Sequence, residues 1–511
     1  MAQGPMPDAS RTPAHETIAN REPASGRPLR PVAVATPEDV RRAVERARRA
    51  QAQWARLSWG ERKARLLAFR DRLLDRAEDV IETVSRETGK PRFEARVHEV
   101  IPIADLAHYF ATRAERFLRD RPVHHHLFWP YKRGYVRYEP RGVVGIVSPW
   151  NFPFTLPMGD VIMALAARNA VVVKPSEWTP HSMLIARDLL AEARIDPDLV
   201  GVVCGAGPTG AALVDEVDMV VFTGSVSTGR KIAARCGERL IPSIMELGGK
   251  DAAIVLPDAD IEHAARKVVT GAFANSGQIC ASIERCLVHE ALYERFCDAV
   301  VRITAALRQG DPSESDEIDV GAMVTPHQVE IVRRHIDDAV VKGARILTGG
   351  KVHTERGRFV EPTVLVDVTD DMLCWSEETF GPLLPIRPYG DVDEAVRMAN
   401  DTIYGLNAYV FGGSVSKAED VANRLEAGAV LVNDVLYNHG APEAPWGGWK
   451  ASGVGRVHNG KDGLRDLCEM RYVGLPRGRL EVPTTFPYTR RKEAFFERIA
   501  GLLRSPFSRF L

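Results

Sequence analysis

Residues 142–149 read GVVGIVSP, residues 169–176 NAVVVKPS, residues 199–205 LVGVVCG and residues 219–225 MVVFTGS. Each is a short run rich in Val, with no alternation of polar and apolar positions, and helical stretches are expected between them, after Pro153, Pro180, Gly210 and Gly229. Strands apolar on both faces belong in a parallel sheet covered by helices on each side. Ligands of such sheets bind beyond the carboxyl ends of the strands. The alternation recurs over residues 250–430, with strand runs AAIVL, CLVHE, PTVLVDV, LPIRPYG and AYVFG, so a second α/β domain is expected.

The N-terminal side is different. Thr36-Pro37-Glu38-Asp39 combines a cap residue, a proline suited to the first helical position and acids in the first turn. Val40, Val44, Ala47, Ala50 and Trp54 follow at helical spacing. A second helix is expected from Ser58 and a third from about Arg92 to Phe117. Residues 1–17, rich in Pro, Ala and Ser, are expected to be mobile. Residues 124–140, HHHLFWPYKRGYVRYEP, alternate aromatic and basic residues as a strand would. Three adjacent histidines, His124 to His126, point in different directions, and no metal site is assigned to them.

With Lys+Arg 67 against Asp+Glu 68, the chain has no net field to recommend nucleic acid as a partner. Seven cysteines, scattered and without C-x-x-C spacing, argue against a disulfide framework or a zinc site and for a reducing compartment. No signal-peptide core or spanning apolar run is present, so a cytoplasmic location is expected.

Several short segments carry polar groups at the predicted strand ends. Gly205 to Gly210 matches G-x-G-x-x-G but lacks an acid at the end of the following strand, which weakens it as a dinucleotide fingerprint. Gly224 to Arg230, with two glycines and three hydroxyls opening a helix, is the better anion cradle. Lys174 and Glu177 follow a strand and suit ribose hydroxyls, or form a surface ion pair. Ser148 to Pro153 sets a single amide, Asn151, in a turn fixed by two prolines. Within residues 241–286, Glu246 precedes a Gly-Gly turn and Cys280 sits among Ser276, Gly277 and Ala281. A thiolate nucleophile needs small neighbours and a base or a lowered pKa; a buried cysteine acting as a small hydrophobe reads equally well from the residues alone.

Taken together, Ser148–Pro153, Lys174–Glu177, Phe222–Ser225, Met245–Lys250, Gly277–Cys280, Glu378–Pro382 and Pro445–Lys450 resemble, in order and spacing, the aldehyde dehydrogenase superfamily over about residues 20–475. The resemblance implies a Rossmann-like cofactor domain (18–121 and 141–248) and a catalytic domain (249–451). It also implies a small β oligomerisation arm with its return segment (122–140 and 452–478). It assigns Cys280 as nucleophile, Glu246 as general base and Asn151 as oxyanion donor. Trp150, Lys174, Glu177, Gly224, Ser225, Glu378 and Phe380 would hold the cofactor. NAD is expected from the negative Glu177 beside the ribose, with NADP the alternative. Phe152, Thr155, Leu156 and Gly159 would face Leu436, Tyr437 and Trp446 across a substrate tunnel, widened by Gly159.

SIERC and residues 433–456 resemble the branch containing diapolycopene-dialdehyde and succinate semialdehyde dehydrogenases. The absence of an arginine pair favours apolar medium- or long-chain, or aromatic, aldehydes. Succinate-semialdehyde-type and coenzyme A-acylating enzymes are the alternatives, and an inactive membrane-associated scaffold is the alternative of another class. A homodimer or homotetramer is implied. Residues 479–511 extend past the resemblance; RRKEAFFERIAGLLR sets apolar residues on one helical face and bases around it, as a helix docked on its own protein or one in peripheral membrane contact would.

Overall fold

The computed structural model describes residues 16–125, 129, 131–456, 458–478 and 484–504. The N-terminal residues 1–15, for which mobility was expected, lie outside these. Thr17, assigned to the same mobile stretch, is instead in the strand Thr17–Ile18, paired antiparallel with Val32–Ala33.

Helix Pro37–Trp54 starts where the sequence indicates: the Thr36 and Asp39 side chains each bond the other's backbone N–H, satisfying two donors that a helix start leaves open. Ser58 and Glu61 do the same for Trp59–Asp75. A helix not anticipated, Ala77–Thr88, follows and ends at Gly89, whose φ of 73° is the left-handed cap geometry glycine tolerates. The chain then runs helical from Arg92 to Phe117, interrupted by a π turn at Arg96–Val100.

The first sheet has six strands in the order Gly453–Val454, Ser243–Glu246, Met219–Thr223, Val143–Val147, Ala170–Lys174, Val200–Val202, all parallel except the first. It begins in the middle, at Val143–Val147, moves outward on one side and returns to Met219–Thr223 on the other. The loops leaving Val147 and Thr223 therefore diverge, and a crevice opens at their carboxyl ends. The helices expected after Gly210 and Gly229 start earlier, at Gly207 and Val226. Ser225 caps the second of these directly, and Gly229 lies inside it because a Cβ there would approach Leu247 Cδ2 to 2.5 Å.

The second sheet has seven strands in the order Arg345–Thr348, Thr363–Val366, Leu383–Tyr389, Ile283–His289, Asp251–Val255, Asn407–Phe411, Ala429–Val432, parallel except at the Arg345–Thr348 edge. Two apolar layers cover its faces. The fold is thus a mixed α/β architecture of two parallel-sheet domains. A third, antiparallel sheet joins Cys468–Pro476, Lys132–Pro140 and Arg121–Val123. Residues 452–478, read as arm and return, also supply the Gly453–Val454 edge strand of the first sheet. His125 bonds the Tyr472 hydroxyl at 2.9 Å across the arm, while His126 lies outside the described residues. Among the described residues no helix is long and apolar enough to cross a membrane.

Candidate active site

Three chain segments meet where the carboxyl ends of the first sheet face the amino ends of the second: the loop after Val143–Val147, the end of Ser243–Glu246, and the turn Ala274–Gly277 that leads through Cys280 into the strand Ile283–His289. Of the seven cysteines, six are buried and Cys280 alone is partly accessible. Asn275 and Ser276 take left-handed φ of 50° and 56°, a strained turn of the kind found where a side chain is aimed for function.

Buried polar bonds tie this turn to the Asn151 loop. Asn151 Nδ2 donates to the Gln278 carbonyl at 2.9 Å. The Gln278 side chain donates to the Asn275 carbonyl and accepts from Val324 N–H, both at 2.9 Å. Beneath them, Lys90 Nζ meets Glu99 at 2.6 Å and donates to the Asn151 backbone carbonyl at 2.9 Å. Glu99 accepts from the backbone N–H groups of Phe154 and Thr155. Both ions are buried, so neither has water to replace its partner. The Cys280 turn and the Asn151 loop are therefore held as one unit.

A matching buried pair supports the other side. Lys250 Nζ lies 2.7 Å from Glu284, which also accepts from Thr379 and Phe380 N–H, each at 2.7 Å. Glu378 Oε1 accepts from Gly249 N–H at 3.0 Å, and Phe380 packs edge-on against Trp150, centroids 5.5 Å apart. Glu378, Phe380 and Trp150 are thus brought to the cleft beside Cys280.

Burial, then the carboxylates of Glu246, Asp251 and Glu378, push the Cys280 thiol well above its ordinary value. Burial likewise pushes Glu246 and Glu378 each up to about 8. Acidic groups in one dry space compete for negative charge, and the ionisation of any one raises the others.

Lys174 ends its strand with Nζ 3.1 Å from the Gly205 carbonyl and 3.5 Å from Glu177. Ser225 caps the exposed start of helix Val226–Arg239, with Ser227 and Thr228 beside it. A strand-end cation with a carboxylate, and an open helix start rich in hydroxyls, fit the ribose and pyrophosphate of a dinucleotide.

Beside Cys280, a cavity of about 320 Å³ is bounded by Ile279 and Ala281 and lined by Phe152, Thr155, Leu436, Tyr437 and Trp446. Leu156 and Gly159 are not among its lining residues: Leu156 is buried in the core, and Gly159 faces the His458 ring, with room for a Cβ 3.8 Å from Nδ1. The lining adds His98, Lys267 and His439, which sequence reasoning did not select. Nor did it select Lys90, Glu99 or Gln278. Gln278 stood inside a quoted motif, whereas Lys90 and Glu99 look like any surface charges until their burial is known.

A pair of parallel sheets with a partly accessible cysteine and a cavity at the cleft between them is an arrangement suited to a nicotinamide-linked oxidoreductase. Residues 11–473 match the aldehyde dehydrogenase family, and the chain belongs to it. It is an aldehyde dehydrogenase, an oxidoreductase of NAD(P)-dependent type. It is 40% identical over 491 residues to a 4,4'-diapolycopene aldehyde oxidase of Methylomonas, covering 95% of this chain and 91% of that one. It is 38% identical over 497 residues to a Mycobacterium ulcerans protein provisionally named succinate-semialdehyde dehydrogenase (NADP(+)) 2, covering 96% and 95%. The solved NAD-dependent aldehyde dehydrogenase of Sinorhizobium meliloti superposes with a TM-score of 0.87 at 36% identity, covering 91% and 92%.

Proposed function

We propose that the chain oxidises an apolar medium- or long-chain, or aromatic, aldehyde to its carboxylic acid, with Cys280 as nucleophile, Glu246 as general base and Asn151 as oxyanion donor. The observation that carries this reading is the partial accessibility of Cys280, alone among seven cysteines, beside a cavity walled by Val97, Pro102, Phe152, Val435, Leu436 and Trp446. The Cys280 sulfur adds to the aldehyde carbon to form a thiohemiacetal, whose oxyanion meets the second N–H of the Asn151 amide and the Cys280 backbone N–H. NAD(P), when bound, supplies the acceptor for the hydride that leaves this carbon. Glu246 then takes a proton from water, which hydrolyses the resulting thioester. A retained base favours hydrolysis over acyl transfer to coenzyme A.

NAD is the proposed cofactor of choice, because a second anion beside Glu177 would be repelled. Assembly through the three-stranded arm is proposed on its shape: Met470 and Tyr472 remain exposed on the edge strand Cys468–Pro476. The C-terminal helix Arg490–Arg504 keeps Phe495 and Leu503 exposed beside arginines, which supports peripheral contact with an anionic membrane.

Lys267 favours a second reading. It lines the cavity, and its ammonium meets Asp434 at 2.5 Å; a substrate carboxylate competing for it would make the enzyme succinate-semialdehyde-like. Reduced-cofactor formation across aldehydes graded by length and polarity, with NAD and NADP in parallel, decides between them. Higher kcat/KM for aromatic or long aldehydes is expected. A preference for succinate semialdehyde would overturn the apolar assignment, and undiminished activity in Cys280→Ala would overturn the mechanism.

A further inference from the structure

Helix Thr155–Ala166 is buried along its whole length and carries a single charge, Asp160. Asp160 Oδ1 lies 3.0 Å from His458 Nδ1, and both side chains are 3% exposed. A buried carboxylate is retained in such a place only with a partner. His458 has a left-handed φ of 63°, a conformation that costs a non-glycine residue about 1–3 kcal/mol and persists only where neighbours over-determine it. Asn459 supplies that restraint, donating to the Asn438 and His439 carbonyls at 3.3 and 3.0 Å.

The pair lies beside Glu246. The strand Gly453–Val454, four residues before His458, is paired with the strand that ends at Glu246, Gly453 opposite Glu246 itself. The rings of Trp446, His439 and His458 follow one another at 5.2 and 6.1 Å. Among the described residues, Asp160 Oδ1, both His458 ring nitrogens, Glu246 Oε1 and Trp446 Nε1 are buried without an aligned hydrogen-bond partner, so Asp160 and His458 meet at 3.0 Å as a charge pair and the neighbouring polar atoms are Glu246 and Trp446.

We propose that Asp160 and His458 are positioning residues for the hydrolytic step: Asp160 holds His458 as a buried imidazolium, whose charge favours the ionised form of Glu246. The proposal rests on the reading of Glu246 as the general base. The other groups facing this space do not supply the same charge. Burial, with the neighbouring charges of His458 and His98, pushes His439 down to about 3, so it is neutral. Burial and the Lys90 charge push His98 down to about 4. Arg456 favours the carboxylate less than His458 does, and Cys280 contributes only negative charge. Burial opposes protonation of His458, but Asp160 and then Glu246 outweigh it and hold the ring above its ordinary value.

The test separates acylation from hydrolysis by stopped-flow on the full-length enzyme with NAD and benzaldehyde, following the first-turnover burst and the steady rate from pH 6 to 10. In His458→Gln the midpoint of the acid limb of the steady rate should move up by about one pH unit, a tenfold loss at pH 7 recovered at high pH. The burst should remain. Asp160→Asn should move the limb in the same direction by less, because it removes the weaker, opposing effect of Asp160 on Glu246 along with the stronger effect of the imidazolium. His458→Lys, which keeps a cation, should leave the limb near its original place. A limb that stays put in both His458→Gln and Asp160→Asn, with the rate lowered equally at all pH values, overturns the proposal; if one variant fails to fold, the other decides. Glu246→Gln is run alongside: if it keeps the limb, the assignment of Glu246 has failed instead.

Discussion

At Cys280 and Glu246, chemistry and burial pull in opposite directions. The proposed nucleophile and base must be ionised to act, yet each sits where negative charge is disfavoured. Replacing Cys280 with Ala should abolish aldehyde oxidation while leaving cofactor affinity by fluorescence titration unchanged. Glu246→Gln should lower the steady rate by about 10²- to 10⁴-fold and spare the first-turnover burst. With Glu246 raised to about 8 by burial, the base is mostly protonated at pH 7, so the hydrolytic rate should climb with pH through 8 and level off above it. A steady rate already flat from pH 6 would contradict this. Asn151→Ala should slow acylation by about 10²- to 10³-fold, as loss of one oxyanion donor does elsewhere.

Among the elements, the π turn Arg96–Val100 matters most, because it turns Glu99 inward to meet Lys90 and the first N–H groups of helix Thr155–Ala166. Lys90→Met should destabilise the fold by about 3–5 kcal/mol, since it leaves Glu99 buried and unpaired. The double replacement Lys90→Met with Glu99→Leu should be less destabilising than Lys90→Met alone, measured by urea unfolding. Equal loss in both would mean the pair is not coupled. The capped helix starts at Thr36 and Ser58 were legible because their signals are local: a hydroxyl and an acid three residues apart. The helix Ala77–Thr88 was missed because its start has no side-chain cap. Asp160 was a usable signal, as the lone charge in the run TLPMGDVIMALA.

At the scale of the molecule, the carboxyl ends of the first sheet face the amino ends of the second across a common cleft, with Lys174, Glu177 and Ser225 on the first sheet's side and the cavity beside Cys280. Glu177→Ser should raise kcat/KM for NADP relative to NAD by about tenfold or more, by removing the charge a 2′-phosphate would meet. An unchanged ratio would remove Glu177 as the selector. Ending the chain at Gly478 should abolish flotation with phosphatidylserine vesicles and leave activity on short soluble aldehydes intact. Equal flotation of both forms would remove the membrane role of the C-terminal helix.

Sequence alone determined the parallel α/β class and the order of the strands along the chain, and its motifs, by their resemblance to a family, singled out Cys280, Glu246, Asn151, Lys174, Glu177 and Glu378 as candidates. Those properties depend on patterns of neighbours, and neighbours are what a sequence records. Tertiary structure decided which strands are adjacent, that Gly159 lies beside His458, and that Lys90 with Glu99 and Asp160 with His458 are buried pairs. Each of those depends on where the chain packs and excludes water, whether the partners are nine residues apart, as Lys90 and Glu99 are, or remote, as Asp160 and His458 are, and a charge has the same letter in water as it does out of it.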